Sequence, residues 1–248
     1  MEYNPFSLKS KRILITGASS GIGQSTAVEC SKLGADIILT ARNEERLQMT
    51  LSSLVGVNNK YFVAELTDVE LVANLVTSLP LLDGVVLCVG KGLTLPFSFC
   101  TQDKYKDLFG VNFFAPVELL RLLVKKKKLA PNSSVVFVSS VAGIESFNVG
   151  NGVYGATKAA LNATMQFCAK ELAPKNIRVN SVCPGMVNTQ LVKSTPFTEE
   201  QHQKNLEKYA IKRYGEPEEI AHGIIYLLSD AASWVTGHSL FIDGGLTI

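Results

Sequence analysis

Alternating strand and helix patterns over 248 residues predict an α/β protein, a doubly wound parallel sheet of about seven strands with helices on both faces. Three observations carry this. Short runs rich in Val and Ile recur along the chain, and stretches with helical periodicity separate them. Runs such as Val85-Val86-Leu87-Cys88-Val89 do not alternate polar with apolar, as a strand covered on both faces requires. In chain order, strands are expected at Arg12 to Thr16, Asp36 to Ala41, Tyr61 to Ala64, Val85 to Val89, Val135 to Ser139, Arg178 to Val182 and Leu240 to Ile242. Helix starts fall between them. Asn43 precedes Glu44-Glu45, Thr67 with Glu70 reads as a capping box, Thr198 with Gln201 reads as another, and Pro217 suits a first helical turn. No linker-like segment and no fixed-period repeat divides the chain, so residues 1–248 read as one domain.

Composition narrows the function classes. Apolar residues make up 46% and charged residues 19%, which excludes disordered and collagen-like chains. Lys plus Arg (24) against Asp plus Glu (22) leaves a net charge of +2, so no nucleic-acid partner is expected. Cys30, Cys88, Cys100, Cys168 and Cys183 are odd in number and form no C-x-x-C pair, the pattern of free thiols in a reducing compartment. Met1 to Ser10 lacks a basic segment followed by an apolar one, and no apolar run approaches the roughly 18 residues that span a bilayer. A cytoplasmic protein without membrane attachment is the expectation. His202, His222 and His238 show no metal-ligand spacing, so no metal is expected. The run Lys125 to Lys128 reads as the solvated tip of a long helix.

Directly after the first strand stands Thr16-Gly17-Ala18-Ser19-Ser20-Gly21-Ile22-Gly23, leading into a helical pattern from Gln24 to Leu33. Gly17 suits a tight turn, while Gly21 and Gly23 let backbone N–H groups and a helix N-terminus approach an anionic phosphate. Strand, glycine-rich turn and helix in this order point to a dinucleotide pyrophosphate site on a Rossmann fold. The spacing is G-x-x-x-G-x-G rather than the common G-x-G-x-x-G.

In this turn the chain resembles the short-chain dehydrogenase/reductase family, whose nucleotide turn is T-G-x-x-x-G-x-G. The similarity continues through Val111-Asn112, Ser139-Ser140-Val141-Ala142-Gly143, Tyr154-Gly155-Ala156-Thr157-Lys158, Ile177 to Asn180, Pro184-Gly185, Pro217 to Ala221 and Thr236-Gly237 to Gly245. It covers nearly the whole chain and is strongest to 3-oxoacyl-[acyl-carrier-protein] reductases and related carbonyl reductases.

Roughly 0.5 Tyr-x-x-x-Lys pairs are expected by chance in this composition, so Tyr154 and Lys158 carry weight only through their chemistry and company. A spacing of four puts phenol and ammonium on one helix face, where the ammonium favours phenolate. Bringing a phenol from about 10 to near neutrality takes roughly 4 kcal/mol, within reach of a cation together with an oxidised nicotinamide. Ser140, at the end of the fifth strand, can donate to a substrate carbonyl and stabilise a developing alkoxide. The family's S-x-x-G pattern selects Ser140 over Ser139. The resemblance further implies that Asn112 links Lys158 to solvent through a water. It implies hydride transfer between nicotinamide C4 and a carbonyl carbon, with Tyr154 as proton donor or acceptor.

Ala41 stands where relatives using NAD carry Asp, and Arg42 follows it, a guanidinium shaped to clamp a phosphate. NADP(H) is therefore expected, against the bland reading that Arg42 pairs with Glu44 or Glu45. The resemblance places cofactor contacts at Gly17, Ser19, Ser20, Gly21, Ile22, Gly23, Arg42, Glu65, Leu66, Gly90, Tyr154, Lys158, Pro184, Gly185, Val187 and Thr189. Two departures stand out: Leu87-Cys88-Val89-Gly90 replaces the usual N-N-A-G, and Glu65 replaces an Asp. Met186 to Tyr209 is expected to cover the site, with Leu191-Val192 and Pro196-Phe197 available to an apolar pocket.

The expected function is an NADPH-dependent reduction of a small-molecule carbonyl to an alcohol, a 3-oxoacyl thioester being one candidate, carried on an acidic carrier docking at Lys125 to Lys128 and Lys175. The rival is a catalytically silent NADP(H)-binding regulatory or scaffold protein. Family members assemble as homo-dimers or homo-tetramers through two long helices, which the resemblance places at about Asp103 to Lys126 and Gly152 to Ala173. The stripe Val153, Thr157, Leu161, Thr164 and Cys168 is core or interface, two readings the sequence leaves open.

Overall fold

The computed structural model describes residues 3–193 and 198–248, with the side chain of Lys193 left out. Its sheet has seven strands: β1 (Arg12–Thr16), β2 (Asp36–Ala41), β3 (Lys60–Val63), β4 (Leu82–Leu87), β5 (Leu129–Val138), β6 (Arg178–Pro184) and β7 (Ser239–Ile242). They lie in the order β3-β2-β1-β4-β5-β6-β7, and every pairing is parallel. Side chains alternate across the pleat into two apolar layers. Leu14, Ile38, Val85, Leu87, Val135 and Phe137 pack on one face with α3 (Val69–Ser78), α5 (Ala115–Lys125) and α6 (Gly152–Leu172). Ile13, Ile15, Ile37, Leu39, Val86 and Val136 pack on the other with α1 (Gly21–Lys32), α2 (Glu44–Ser52) and α9 (Pro217–Leu228). That is why the strands read as uninterrupted apolar runs.

Capping follows the sequence at three starts and departs at one. Asn43 accepts from the N–H of Arg46 at 2.8 Å and starts α2. After the short α7 (Gln190–Lys193), Thr198 and Gln201 close a capping box on α8 (Glu199–Leu206), and Pro217 opens α9 behind a Glu216–Glu219 box. At α3 the cap is Asp68, not Thr67: the Asp68 carboxylate accepts from the N–H groups of Glu70 and Leu71 at 2.9 and 3.0 Å. Thr67 instead donates its own N–H to Glu65 at 3.1 Å.

The first long helix is not one regular element. α4 (Gln102–Phe109) passes through a π-helical turn at Gly110–Phe114 before α5, and Asn112 sits in that turn. The lysine run is more than a solvated tip. Lys128 is half-buried, and its ammonium donates to the carbonyls of Thr77 and Leu79, closing the C-terminal end of α3 at the sheet edge where β5 begins. On α6, Val153, Thr157 and Leu161 are buried, and Thr164 and Cys168 are half-buried, so the stripe belongs to the core; the outer face carries Phe167, 70% exposed.

In a doubly wound sheet ligands bind beyond the C-terminal strand ends where the winding reverses, here between β1 and β4. Thr16 ties these two ends together. Its hydroxyl accepts from the N–H of Cys88 at 2.9 Å and donates to the carbonyl of Val86 at 3.3 Å. A cross-strand bond that the missing amides of N-N-A-G would make is thus made from β1.

Candidate active site

A continuous cleft of about 1330 Å³ runs over the C-terminal ends of β1, β2, β4, β5 and β6. The glycine turn forms its floor. Gly17 has φ +64°, and a Cβ there would lie 2.9 Å from the carbonyl oxygen of Cys88. A Cβ at Gly23 would collide with the carbonyl of Gly17, and one at Gly21 would lie 3.1 Å from the Thr189 methyl. α1 begins at Ser20 with no side-chain cap and no acid in its first turn, so its first N–H groups are left to a ligand. Unpaired donors, the positive end of a helix dipole and a cradle that side chains would fill together fit a pyrophosphate. Ser19, Ser20, Ile22, Arg42, Glu65, Leu66, Gly90, Pro184, Gly185, Val187 and Thr189 all line the same cleft, with Ser140, Tyr154 and Lys158.

β5 delivers Ser140 just past its end, and α6 delivers Tyr154 and Lys158 from its first two turns. Two glycines set how closely these elements approach. Gly143 has φ +80°, and a Cβ there would collide with the carbonyl of Gly155, so the loop after β5 lies directly against the helix residue that follows Tyr154. The Ser140 hydroxyl accepts from the N–H of Ala142 at 3.1 Å and lies beside the Tyr154 phenol, whose pKa it lowers. The Lys158 ammonium lies 5.7 Å from the centre of the Tyr154 ring and donates to the carbonyl of Val138 at 2.9 Å. Ser139 takes a different part, donating to the carbonyl of Lys158 at 3.2 Å.

Burial governs the electrostatics. The Lys158 ammonium is brought down to about 8 because its environment disfavours the charge. Burial also raises the Tyr154 phenol above its ordinary value, only partly offset by the Ser140 hydroxyl. The expected lowering of the phenol by its neighbouring ammonium is therefore not found in the protein alone, where desolvation wins. The Cys88 thiol, beside the N–H of Gly23, is pushed up to about 12 by burial and stays neutral.

Asn112 does not line the cleft. It is 0% exposed and stands behind the wall, its Oδ1 accepting from the N–H of Lys91 at 2.8 Å, and its Nδ2 donating to the Lys91 carbonyl at 3.0 Å and to Thr157 at 3.2 Å. Thr157 in turn donates to the Tyr154 carbonyl at 2.7 Å. A Cβ at Gly90 would lie 3.4 Å from Asn112 Oδ1 and 3.5 Å from Lys158 Nζ, so Gly90 keeps open the space between amide and ammonium. The π-helical turn is what aims Asn112 inward at this point.

At the far end Arg42 pairs with Glu65, Nη1 to Oε2 at 3.2 Å, rather than with Glu44 or Glu45. Glu65 sits just after β3 with its carboxyl held below the usual range, hydrogen bonds from Thr67 and Arg42 outweighing desolvation. Sequence reasoning passed over several cleft residues. Arg46, in the first turn of α2, lines this end beside Arg42. Lys91 pairs with Asp107 at 2.5 Å on the opposite wall. Tyr209, 1% exposed, accepts from the N–H of Met186 at 3.0 Å and anchors the covering segment; nothing in the sequence marked it. Leu191 and Val192 line the cleft, whereas Pro196 and Phe197 lie outside the described residues. Among the described residues no group of His, Cys, Asp or Glu is placed to hold a metal, and no helix is long and apolar enough to cross a membrane.

Comparison with known proteins agrees with this geometry. A family profile described as Enoyl-(Acyl carrier protein) reductase matches residues 17–247. The chain is 34% identical over 240 residues to 3-oxoacyl-[acyl-carrier-protein] reductase FabG of Rickettsia conorii, covering 96% of this chain and 98% of that one. It is 32% identical over 248 residues to L-xylulose reductase of Caenorhabditis elegans, covering 98% of each. A solved short-chain type dehydrogenase/reductase from Mycobacterium ulcerans superposes with a TM-score of 0.88 at 30% identity, over 97% of this chain and 91% of that one.

Proposed function

The chain belongs to the short-chain dehydrogenase/reductase family, oxidoreductases that bind a nicotinamide cofactor, and from that premise we propose that it is an NADPH-dependent carbonyl reductase. The observation that carries the reading is the convergence of Ser140, Tyr154 and Lys158 on the cleft whose floor is the uncapped glycine turn. Backbone N–H groups of Gly21 to Gly23 would hold the pyrophosphate, and Arg42 the 2′-phosphate. The bound dinucleotide supplies the hydride for the carbonyl carbon.

The protein's own part is at the oxygen. Ser140 donates a hydrogen bond to the carbonyl, and Tyr154 delivers the proton. A phenol held above its ordinary value is protonated throughout the physiological range, which suits the reducing direction. Lys158, near 8, is mainly charged at neutrality and passes a proton toward Tyr154, with Asn112 and the open space at Gly90 on its solvent side. Asn112 is a positioning residue in this arrangement. The substrate is a small-molecule ketone, with 3-oxoacyl thioesters first among candidates because the FabG reductases match over nearly their full length. The exposed Phe114 and Phe167 beside the long helices fit assembly into a homo-dimer or homo-tetramer. A silent binding protein would have no use for the aligned Ser140, Tyr154 and Lys158.

Following NADPH consumption over 3-oxoacyl thioesters, diketones, quinones and keto sugars tests the proposal. Reduction of one class, abolished in Tyr154→Phe with dinucleotide binding retained, is the expected result; binding of NADPH without oxidation across the panel would favour the silent role.

A further inference from the structure

We propose that Glu65, through its ion pair with Arg42, sets how strongly the cleft discriminates a 2′-phosphorylated dinucleotide from an unphosphorylated one, and that Arg46 is the second cation of that subsite. The inference rests on the cofactor reading above and goes beyond it, because Arg42 alone predicts only a preference.

Arg42 directly follows β2 with a side chain 77% exposed, and Glu65, 38% exposed, holds one of its nitrogens at 3.2 Å. Glu65 is not a loose counter-ion. Its other oxygen accepts from the N–H of Thr67 at 3.1 Å, so the carboxylate is fixed beside the guanidinium. Glu44 accepts from the Tyr61 hydroxyl at 2.9 Å, and neither Glu44 nor Glu45 lines the cleft. Asp107, the other acid lining the cleft, is paired with Lys91 on the opposite wall. At the Arg42 end Glu65 is thus the only acid lining the cleft among the described residues.

Arg46 starts from a fixed base. Its N–H is bound by Asn43 at 2.8 Å in the first turn of α2, and it lines the cleft beside Arg42. Two guanidiniums and one carboxylate therefore meet an arriving phosphate. A dianion must share Arg42 with Glu65, so Arg46 becomes the less encumbered cation. An unphosphorylated ribose meets no such competition. Glu65 consequently narrows the gap between the two cofactors rather than widening it.

The test is direct binding of NADPH and NADH, without substrate, to the intact chain by nicotinamide fluorescence or calorimetry. Glu65→Gln removes the charge and keeps an oxygen for Thr67; it is expected to tighten NADPH about three- to tenfold while NADH moves less than about twofold. That gain should vanish in the Arg42→Ala background, since the coupling runs through the pair. Arg46→Ala is expected to weaken NADPH roughly five- to twentyfold and spare NADH. If Glu65→Gln shifts both cofactors equally, or neither, or if its effect survives loss of Arg42, the proposal is overturned while the reductase reading stands. An unsubstituted chain that binds neither dinucleotide overturns both.

Discussion

Backbone builds one half of the cleft and side chains on loops build the other. The dinucleotide half is made of strand ends and the turn Gly17 to Gly23, where what matters is the absence of a Cβ and the direction of N–H groups. The other half is made, among the described residues, of 91–94, 146–151, 186–192 and 205–209, carrying Leu93, Asn148, Val149, Met186 and Lys208 on segments outside the sheet. Constraint on residue type is what a motif records. The first half therefore announces its ligand in sequence, and the second announces only that there is room for one.

The largest contrast lies in paired substitutions. Tyr154→Phe, where the halves meet, is expected to lower kcat by about a thousandfold or more while leaving the dinucleotide Kd within about twofold, read from single-turnover kinetics and titration. Gly17→Ala should cost roughly 2–3 kcal/mol of stability and most dinucleotide binding, since φ is +64° and the new methyl meets the Cys88 carbonyl. Gly92→Ala, in the other half, meets Leu191 at an ordinary 3.4 Å and should move the melting midpoint little. Equal destabilisation by the two alanines would break the comparison.

A subtler contrast concerns what holds the centre from each side. Asn112 is gripped by the backbone of Lys91, whose side chain pairs with Asp107 on α4. Asp107→Asn should change stability by less than about 0.5 kcal/mol, because both partners are well exposed, yet lower kcat about three- to tenfold through the loop carrying Lys91. A melt together with kcat and KM separates the two effects.

The alternation of strand and helix and the glycine turn were legible because each is local or periodic, and Ser140, Tyr154 and Lys158 were singled out through the family resemblance. What was missed depends on through-space partners. Arg42 finds Glu65 rather than the nearer Glu44 or Glu45, because β2 and β3 run side by side and deliver both residues to one edge. Lys128 caps a helix that lies about fifty positions earlier in the chain. Thr67 and Asp68 are both good cap residues, and the choice between them falls to which side-chain oxygen reaches the free N–H groups. Asn112 could be aligned from sequence, but the π-helical turn that aims it could not.

The direction of the charge effects was the least legible feature. A sequence neighbour suggested that Lys158 would act mainly on Tyr154, whereas burial acts first on Lys158 itself, bringing it from 10.5 to about 8. The unfolded chain then holds this proton up to about 10.5 while the folded chain releases it near 8, so between those values the unfolded state binds more protons. Stability conferred at this position must rise with pH through that window. Other groups oppose it: the Cys88 thiol, raised from 9.0 to about 12, and the raised Tyr154 phenol make the fold less stable as pH climbs past their ordinary values. Only a difference curve isolates the lysine. Subtracting the stability of Lys158→Met from that of the unsubstituted protein, by denaturant titration from pH 7 to 10.5, should give a difference that rises by at most about 3 kcal/mol and levels near the top of the range. A flat difference would mean that Lys158 is solvated in solution, and with it would go the contrast between a dry catalytic centre and the exposed Arg42 end of the same cleft.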